Sequence, residues 1–208
     1  MNEADARAAM AALPGVSRET LAKLDHFVAM VVDENTRQNL IGARDIESVW
    51  RRHILDSAQL CAFAPQTGTW VDIGTGGGFP GMVVALLRDG PVHLIEPRRK
   101  RADFLRQVAT ELSLGNAQVH QLNIARLEGV RADVISARAL APLPELLIWS
   151  HKIAHSNTVW LLPKGKNAKD ELALARQSWQ GTFHVERSAT DADSFIIIAT
   201  GVRPKRPS

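Results

Sequence analysis

A glycine-rich stretch, residues 71–81, constrains the fold of this chain more than any other feature of its sequence. It reads Val-Asp-Ile-Gly-Thr-Gly-Gly-Gly-Phe-Pro-Gly and follows an apolar run that predicts a short buried strand. The apolar segment after it predicts a helix. The first turn of this helix tolerates Pro80 because N–H groups in a first turn have no hydrogen-bond partner within the helix. Since glycines permit positive φ and close approach of a ligand, this strand–turn–helix layout predicts a loop that holds a nucleotide.

Two binding registers fit the same glycines. A Gly-x-Gly-x-x-Gly pattern that begins at Gly76, with Glu96 as the ribose-binding acid, matches the dinucleotide fingerprint of nicotinamide-dependent oxidoreductases. A second pattern places Asp72 at the end of the strand and a glycine at each of positions 74, 76 and 78. This second pattern resembles motif I of the Rossmann-like S-adenosylmethionine (SAM) methyltransferases. The glycines alone leave both registers open, so the rest of the chain has to decide.

The length of the chain bounds the number of domains. With 208 residues, 45% of them hydrophobic, the chain can form one ordinary globular domain and a short extension. We expect a helical extension at 1–64, a SAM-dependent methyltransferase domain at 65–202 and a basic flexible tail at 203–208. A breaker at 64–68 separates the first two.

Composition also excludes several classes of protein. The single cysteine, Cys61, excludes intrachain disulfides, a cysteine zinc cluster and an iron–sulfur site, and it favours a reducing, cytoplasmic compartment. No apolar run is long enough for a transmembrane helix, and the acidic N-terminus does not resemble a signal peptide. The net charge of +3 permits a polyanionic partner such as RNA.

Hydrophobic patterning predicts an α/β fold with a mostly parallel, doubly wound sheet. Residues 1–64 are predicted to be helical, with Ser17 capping one helix. Beyond them we predict strands at 69–74, 92–96, 117–121, 132–137, 158–162, 182–187 and 194–200, and helices at 80–88, 98–113, 142–153 and 167–178. The last two strands have only a polar loop between them, which predicts an antiparallel hairpin. This ending is typical of SAM methyltransferases, whereas an oxidoreductase would need a further substrate domain.

Three side chains fall at predicted carboxyl ends of strands, where open α/β sheets bind their ligands. Glu96 is expected to accept hydrogen bonds from ribose hydroxyls. Arg138 either faces the same crevice or pairs with an acid such as Glu145, and Lys164 either lines the crevice or is an ordinary turn lysine. His53 has no partner at a catalytic spacing, so we interpret it as a structural hydrogen-bonding residue.

A cluster of cations opens the helix after the second strand. Because positive charge at this end opposes the helix dipole, the cluster indicates contact with an anionic partner such as RNA phosphate. Runs of charged residues are, however, often only solvated. The candidates for RNA contact are Arg98, Lys100 and Arg101, with Lys164 in the crevice.

Several segments together resemble one family, the bacterial RsmG (GidB) methyltransferases. They are Asn39-Leu40, the Arg-His-Ile-Leu-Asp-Ser run at 52–57, the glycine stretch at 72–81, Lys-Arg-Ala-Asp-Phe-Leu-Arg-Gln-Val at 100–108 and Ile-Ser-Ala-Arg-Ala at 135–139. The Arg-His-Ile-Leu-Asp-Ser and Gly-Phe-Pro-Gly runs are much more specific than a lone glycine pattern. The resemblance extends over about residues 20–200.

The resemblance implies transfer of a methyl group from SAM to N7 of one guanosine in 16S rRNA of the small ribosomal subunit. It further implies that the cofactor is SAM and that the protein binds neither a metal nor a membrane. We expect a monomer. By family correspondence the cofactor contacts fall on Gly74, Gly76, Phe79, Glu96, Ile124, Ala125 and Arg138. No general base is expected because N7 of neutral guanine carries a free lone pair, which leaves Arg138 and Lys164 as candidates for electrostatic or positioning roles.

Overall fold

The computed structural model describes residues 1–65 and 67–205. Seven strands form one sheet in the order β3-β2-β1-β4-β5-β7-β6. Their bounds are β1 Trp70–Ile73, β2 Val92–Ile95, β3 Ala117–His120, β4 Ala132–Ser136, β5 Ala154–Lys164, β6 Trp179–Arg187 and β7 Phe195–Pro204.

The sheet is parallel over β1–β5 and antiparallel at its other end. β1 pairs in parallel with both β2 and β4, whereas β7 runs antiparallel between β5 and β6. The chain reverses in the short polar loop 188–194, which has no room for the helix that a parallel crossover requires. The predicted fold class, a mostly parallel α/β sheet with a C-terminal antiparallel hairpin, is confirmed.

Regular helices occupy both faces of the sheet, and an irregular helical segment precedes β1. Thr20 donates its backbone N–H to Ser17 Oγ at 3.0 Å, which confirms Ser17 as a helix cap. The α-helices are α1 Glu3–Ala11, α2 Arg18–Glu34, α3 Asp56–Ala58, α4 Gly81–Leu87, α5 Arg99–Glu111, α6 Leu143–Ser150 and α7 Ala168–Ser178. The irregular segment has 3-10 turns at Ala43–Ser48 and Gln59–Phe63 on either side of a π-helical turn, Trp50–Leu55, and α3.

Two apolar cores form because successive side chains of a strand point to opposite faces. In β1, Trp70 packs with α2, α4 and α5 on one face, whereas Val71 packs with α6 and α7 on the other. Every residue of β1 is buried, as expected for a central parallel strand covered on both sides.

Several predicted boundaries differ from the observed ones. β5 begins at Ala154 and ends at Lys164, so it exceeds the predicted 158–162 at both ends. The predicted flexible tail is wrong at its start, because Arg203 and Pro204 continue β7 opposite Gln180 and Trp179. Antiparallel pairing with β6 holds these two residues, and residues 206–208 lie outside the described part of the chain. Over the described residues, no helix has the length and apolar character needed to cross a membrane.

Candidate active site

A cleft of about 1030 Å³ opens at the carboxyl ends of the central parallel strands. This is the place where open α/β sheets bind ligands. Its lining includes nine of the residues singled out from the sequence: His53, Gly74, Gly76, Phe79, Glu96, Arg98, Arg101, Arg138 and Lys164.

The fully buried Asp72 carboxylate holds the glycine loop in shape. Its Oδ2 accepts hydrogen bonds from the Thr75 hydroxyl and from the Gly81 N–H, the latter at 2.9 Å. Its Oδ1 accepts the Ser136 hydroxyl at 2.7 Å, and Ser136 Oγ in turn accepts the Trp70 indole N–H at 2.8 Å. Burial raises the pKa of the Asp72 carboxyl, and hydrogen bonds from Ser136 and Thr75 oppose that rise. The acid of the glycine motif therefore supports the loop from beneath.

Glu96 joins the glycine loop to the start of α5. Its side chain is buried, with Oε2 accepting the Gly76 N–H at 3.0 Å and Oε1 accepting the Arg98 N–H at 2.9 Å. A carboxylate oxygen accepts more than one hydrogen bond, so each oxygen retains acceptor capacity toward the cleft. Gly74 and Gly76 both have positive φ, at 71° and 60°, which glycine adopts without strain.

The Leu140 side chain lies next to the backbone at Gly74. A Cβ built on Gly74 would lie 2.7 Å from Leu140 Cδ1, although the Leu140 side chain is itself 42% exposed. Leu140 follows Ala139, which has a φ of 51°, in the turn after β4. Nothing in the sequence pattern marked Leu140 as a cleft residue, because a lone apolar residue in a turn carries no distinctive signal.

Arg138 is the centre of a side-chain cluster at the end of β4. Its NH2 group donates to His53 Nδ1 at 2.5 Å, and its NH1 group donates to the Arg52 carbonyl at 2.9 Å and to Asp56 Oδ2 at 3.4 Å. The guanidinium also lies over the Phe79 ring, 5.5 Å from its centroid. Burial lowers the pKa of Arg138, which Asp56 opposes, and an arginine remains protonated in proteins.

These contacts bear on two interpretations from the sequence. Arg138 lines the cleft and also pairs with an acid, but that acid is Asp56 and not Glu145. His53 also lines the cleft, where its Nδ1 accepts from Arg138, so the ring proton must sit on Nε2, 3.7 Å from Asp45 Oδ2. The interpretation of His53 as a structural hydrogen-bonding residue stays a prediction. Burial, together with the nearby Arg138 and Arg52 charges, lowers the pKa of His53 to about 3, so the ring is neutral at physiological pH.

Asp56 connects this cluster to the far end of the chain. Its Oδ1 accepts hydrogen bonds from Gln59 Nε2 at 2.8 Å, Thr190 Oγ1 at 2.8 Å and Ser188 Oγ at 3.2 Å. Ser188 and Thr190 belong to the loop between β6 and β7. One mostly buried carboxylate therefore holds both Arg138 and this loop.

Lys164 lines the cleft, but its ammonium group already interacts with nearby groups of the protein. The Nζ atom lies 2.7 Å from Glu171 Oε2 and donates to the Ala141 carbonyl at 2.6 Å. Glu171 Oε2 also accepts the Leu143 N–H at 2.8 Å. Lys164 and Glu171 thus fasten the turn that follows Arg138.

The basic residues at the start of α5 have different surroundings. Arg98 is exposed at the rim of the cleft, and Arg101, also in the lining, donates to the Asn39 carbonyl at 2.7 Å. Lys100 is exposed and lies outside the lining, while its carbonyl accepts from Gln38 Nε2.

Ile124 and Ala125, which were predicted to contact the cofactor, are not among the described residues that line the cleft. They belong to a 3-10 turn, Ile124–Arg126, in which the Ile124 side chain is buried in the core. The Ala125 N–H donates to Asn123 Oδ1 at 3.0 Å. The described residues contain no group of three or more histidine, cysteine or acidic side chains placed to bind a metal ion.

Comparison with known proteins decides the family. A family model described as rRNA small subunit methyltransferase G (GidB) matches residues 20–193. The chain belongs to this family. Two relatives, each named ribosomal RNA small subunit methyltransferase G, come from Sphingopyxis alaskensis and Rhizorhabdus wittichii. They are 48% and 49% identical to this chain, cover 91% of it in both cases, and are themselves covered over 83% and 89% of their length.

Solved structures share the fold at low sequence identity. A SAM-dependent methyltransferase from Aquifex aeolicus gives a TM-score of 0.61 at 15% identity, covering 76% of this chain and 95% of its own. A mutant of MtNAS in complex with S-adenosylmethionine gives a TM-score of 0.64 at 12% identity, covering 97% of this chain and 84% of its own. The fold is that of the SAM-dependent methyltransferases, and neither comparison supports the oxidoreductase register of the glycine loop.

Proposed function

We propose that this protein transfers the methyl group of SAM to N7 of a guanosine in 16S rRNA of the small ribosomal subunit, in the cytoplasm. The observation that carries the proposal is the single cleft that combines the glycine loop, Glu96 and Arg138 in a member of the rRNA small subunit methyltransferase G family. An assignment to N7 follows from the family resemblance and from the chemistry of guanine.

The residues present fit SAM. Gly74 and Gly76 expose bare backbone to the cleft, and a Cβ at Gly74 would occupy space that Leu140 already fills. Glu96 retains acceptor capacity for two ribose hydroxyls. We propose Gly74, Gly76, Phe79, Glu96 and Arg138 as the cofactor contacts; the pair Ile124 and Ala125 would contribute only if the Ala125 N–H exchanged its bond to Asn123 for the adenine edge.

The reaction needs alignment more than acid–base chemistry. SAM supplies an electrophilic methyl group on sulfur; the N7 lone pair forms the new C–N bond as the S–C bonding pair returns to sulfur, giving S-adenosylhomocysteine and a cationic 7-methylguanine. Neutral His53 accepts a hydrogen bond from Arg138, so it serves Arg138 and takes no proton from the substrate. Alignment of reacting groups contributes about 7–11 kcal/mol in favourable cases.

Arg138 is the candidate for the electrostatic role in the cleft. A guanidinium has five N–H donors, and its contacts to His53, Arg52 and Asp56 use three of them. The remaining donors suit the carboxylate of SAM or O6 of guanine. Because Lys164 is occupied by Glu171 and Ala141, we assign it to holding the loop after Arg138 in the absence of RNA.

A methyl-transfer assay tests the proposal directly. Purified protein is incubated with labelled SAM and with small-subunit RNA or particles from cells that lack this methylation, and the modified base is then mapped. We expect label on N7 of one guanosine. Label on a different base, label on protein, or tight binding of NADH with none of SAM would overturn the assignment.

Exposed cations at the cleft rim are proposed to bind RNA phosphate. Arg98 and Lys100 are exposed, whereas Arg99 and Arg106 both lie near Asp103, at 3.6 and 2.8 Å. Changing Arg98 and Lys100 together to alanine should raise the KM for RNA and reduce the slope of log K against log salt by about one per lost phosphate contact. The Arg106→Ala variant is the matched control. An equal effect in that variant would contradict the proposal that Arg98 and Lys100 bind RNA phosphate.

A further inference from the structure

The cleft extends past the proposed cofactor residues to a wall whose residues lie mostly outside the sequence motifs. The far lining includes Asp45, Arg52, Thr190, Asp191, Ser194 and Phe195. Four of these belong to the β6–β7 loop and the start of β7. Because β7 is antiparallel to β5, it begins at the edge where the parallel strands end, with Phe195 paired in register with Lys164. The topology therefore places this loop at the mouth of the active site.

Hydrogen bonds fasten the β6–β7 loop to the side chains of Asp56 and Gln59. Thr190 is buried and donates its hydroxyl to Asp56 Oδ1 at 2.8 Å, and Ser188 Oγ donates to the same oxygen at 3.2 Å. The Ala189 N–H donates to Gln59 Oε1 at 2.9 Å. Since Asp56 also holds Arg138, the loop and the cofactor side of the cleft are fastened to the same carboxylate.

Asp191 presents a carboxylate to the cleft from this loop. Its Oδ1 accepts the Asp193 N–H at 2.9 Å, which forms the local turn, while Oδ2 lies 3.9 Å from Arg52 NH1. The side chain is 37% exposed. Asp45, the other acid on this wall, has its Oδ1 only 2.6 Å from Arg52 Nε and is more enclosed, so Asp191 has the freer oxygen.

We propose that the β6–β7 loop forms the nucleobase side of the active site and that the Asp191 carboxylate binds the Watson–Crick edge of the acceptor guanine. This inference rests on the proposed methyl transfer to guanosine. Guanine presents N1–H and N2–H donors side by side, and a carboxylate accepts both. Adenine presents an acceptor at N1, which a carboxylate repels. Enzymes that modify an extruded base read it through this edge and through stacking, for which the Phe195 ring is available in the same cleft.

The same carboxylate suits the charge that the reaction creates. Methylation at N7 leaves the purine ring cationic and makes its N1–H a stronger donor. A fixed anion at the opposite edge of the ring stabilises this cation as it forms, without accepting a proton. Asp191 therefore contributes both to the choice of guanine and to the rate.

The Asp191→Asn variant tests the proposal, because asparagine keeps the oxygen that accepts the Asp193 N–H. It removes the charge and replaces the other carboxylate oxygen with an NH2 donor, which cannot accept from guanine N1–H or N2–H. We expect kcat/KM for RNA to fall by about 10- to 100-fold, as for loss of one bidentate base contact, with the Kd of SAM unchanged. Asp191→Glu should recover part of the activity. Asp193→Asn, at an exposed carboxylate of the same loop that does not line the cleft, is the matched control and should remain near wild type.

A second pair of variants tests the fastening of the loop. Thr190→Val removes the hydroxyl that Asp56 accepts, and Thr190→Ser retains it. We expect the valine variant to raise the KM for RNA by about 3- to 10-fold with SAM affinity unchanged, and the serine variant, which keeps the hydroxyl, to raise it clearly less.

Failure of this inference is distinguishable from failure of the proposed function. If the wild-type protein transfers no methyl group to small-subunit RNA, the proposed function is wrong. If the wild type is active and Asp191→Asn keeps its kcat/KM within twofold, or loses SAM affinity in parallel, the nucleobase assignment is wrong.

Discussion

The two sides of the cleft are built in different ways. On one side, the glycine loop is a backbone surface whose shape is set by positive φ angles and by the Asp72 carboxylate beneath it, which accepts the Gly81 N–H. On the other side, at the end of β4, Arg138 forms a cluster with the side chains of Asp56 and His53, which precede it by 82 and 85 residues. The first side is specified locally, and the second exists only because the chain folds. We therefore expect substitutions on the first side to reduce ligand binding and substitutions on the second to reduce stability as well.

The largest stability effect is expected at Asp56. Asp56→Ala removes the acceptor for buried Arg138 and for the Thr190, Ser188 and Gln59 donors, so the free energy of unfolding should fall by about 3–5 kcal/mol. Urea denaturation at neutral pH measures this. Asp56→Asn keeps an oxygen for the loop donors and should lose clearly less. A loss below about 1 kcal/mol for alanine would mean that the cluster is dispensable for folding.

The largest effect on ligand binding is expected from Gly74→Asp, although the positive φ also adds backbone strain. At a φ of +71° and 2.7 Å from Leu140 Cδ1, the new side chain intrudes on the cleft and adds a negative charge there, so the Kd of SAM should rise by at least about 100-fold, or about 3 kcal/mol. Isothermal titration calorimetry measures this. Gly15→Asp is the matched control, because Gly15 also has a positive φ, +82°, with no atom near its would-be Cβ. Unchanged SAM affinity in Gly74→Asp would contradict the assignment of the loop.

His53 should make stability depend on pH. Its pKa is about 3 in the folded protein and about 6.5 when unfolded, so the unfolded state binds the proton first as pH falls. Stability from this residue is present above pH 6.5 and is lost as pH decreases, by about 2 kcal/mol between pH 7 and pH 5. His53→Asn should flatten the pH dependence by that amount, whereas His184→Asn, at an exposed histidine, should leave it unchanged. Equal slopes in all three proteins would show that His53 is not buried in the neutral form.

The smallest effect is expected at the N-terminal helix. Glu3 accepts the backbone N–H groups of Trp50 and Arg51 at 2.8 and 3.0 Å, at the start of the π-helical turn that carries His53. Glu3→Ala should lower the free energy of unfolding by about 1 kcal/mol. Glu19→Ala, which removes only an exposed ion pair with Lys23, should cost less than about 0.5 kcal/mol. If the two variants lose the same free energy of unfolding, Glu3 of α1 does not stabilise the π-helical turn that carries His53.

Prediction from sequence succeeded where the signal was local. The glycine pattern, the strand before it and the helix after it lie within some twenty consecutive residues, and their geometry follows from glycine φ angles and apolar periodicity. The placement of Glu96, Arg138 and Lys164 at the cleft followed from their position after strands. The length of β5 and the continuation of β7 to Pro204 were missed, because pairing with a neighbouring strand sets where a strand ends.

The sequence by itself thus determined the fold class, the glycine loop between a strand and a helix, and the acid at the end of the second strand. Only the tertiary structure decided what these side chains touch: Asp56 as the partner of Arg138, Glu171 as the partner of Lys164, and Asp191 at the cleft wall. The physical reason is that backbone conformation depends on neighbouring residues. Hydrogen bonds between side chains depend on distances across the folded chain, and hydrophobic periodicity carries no record of those distances.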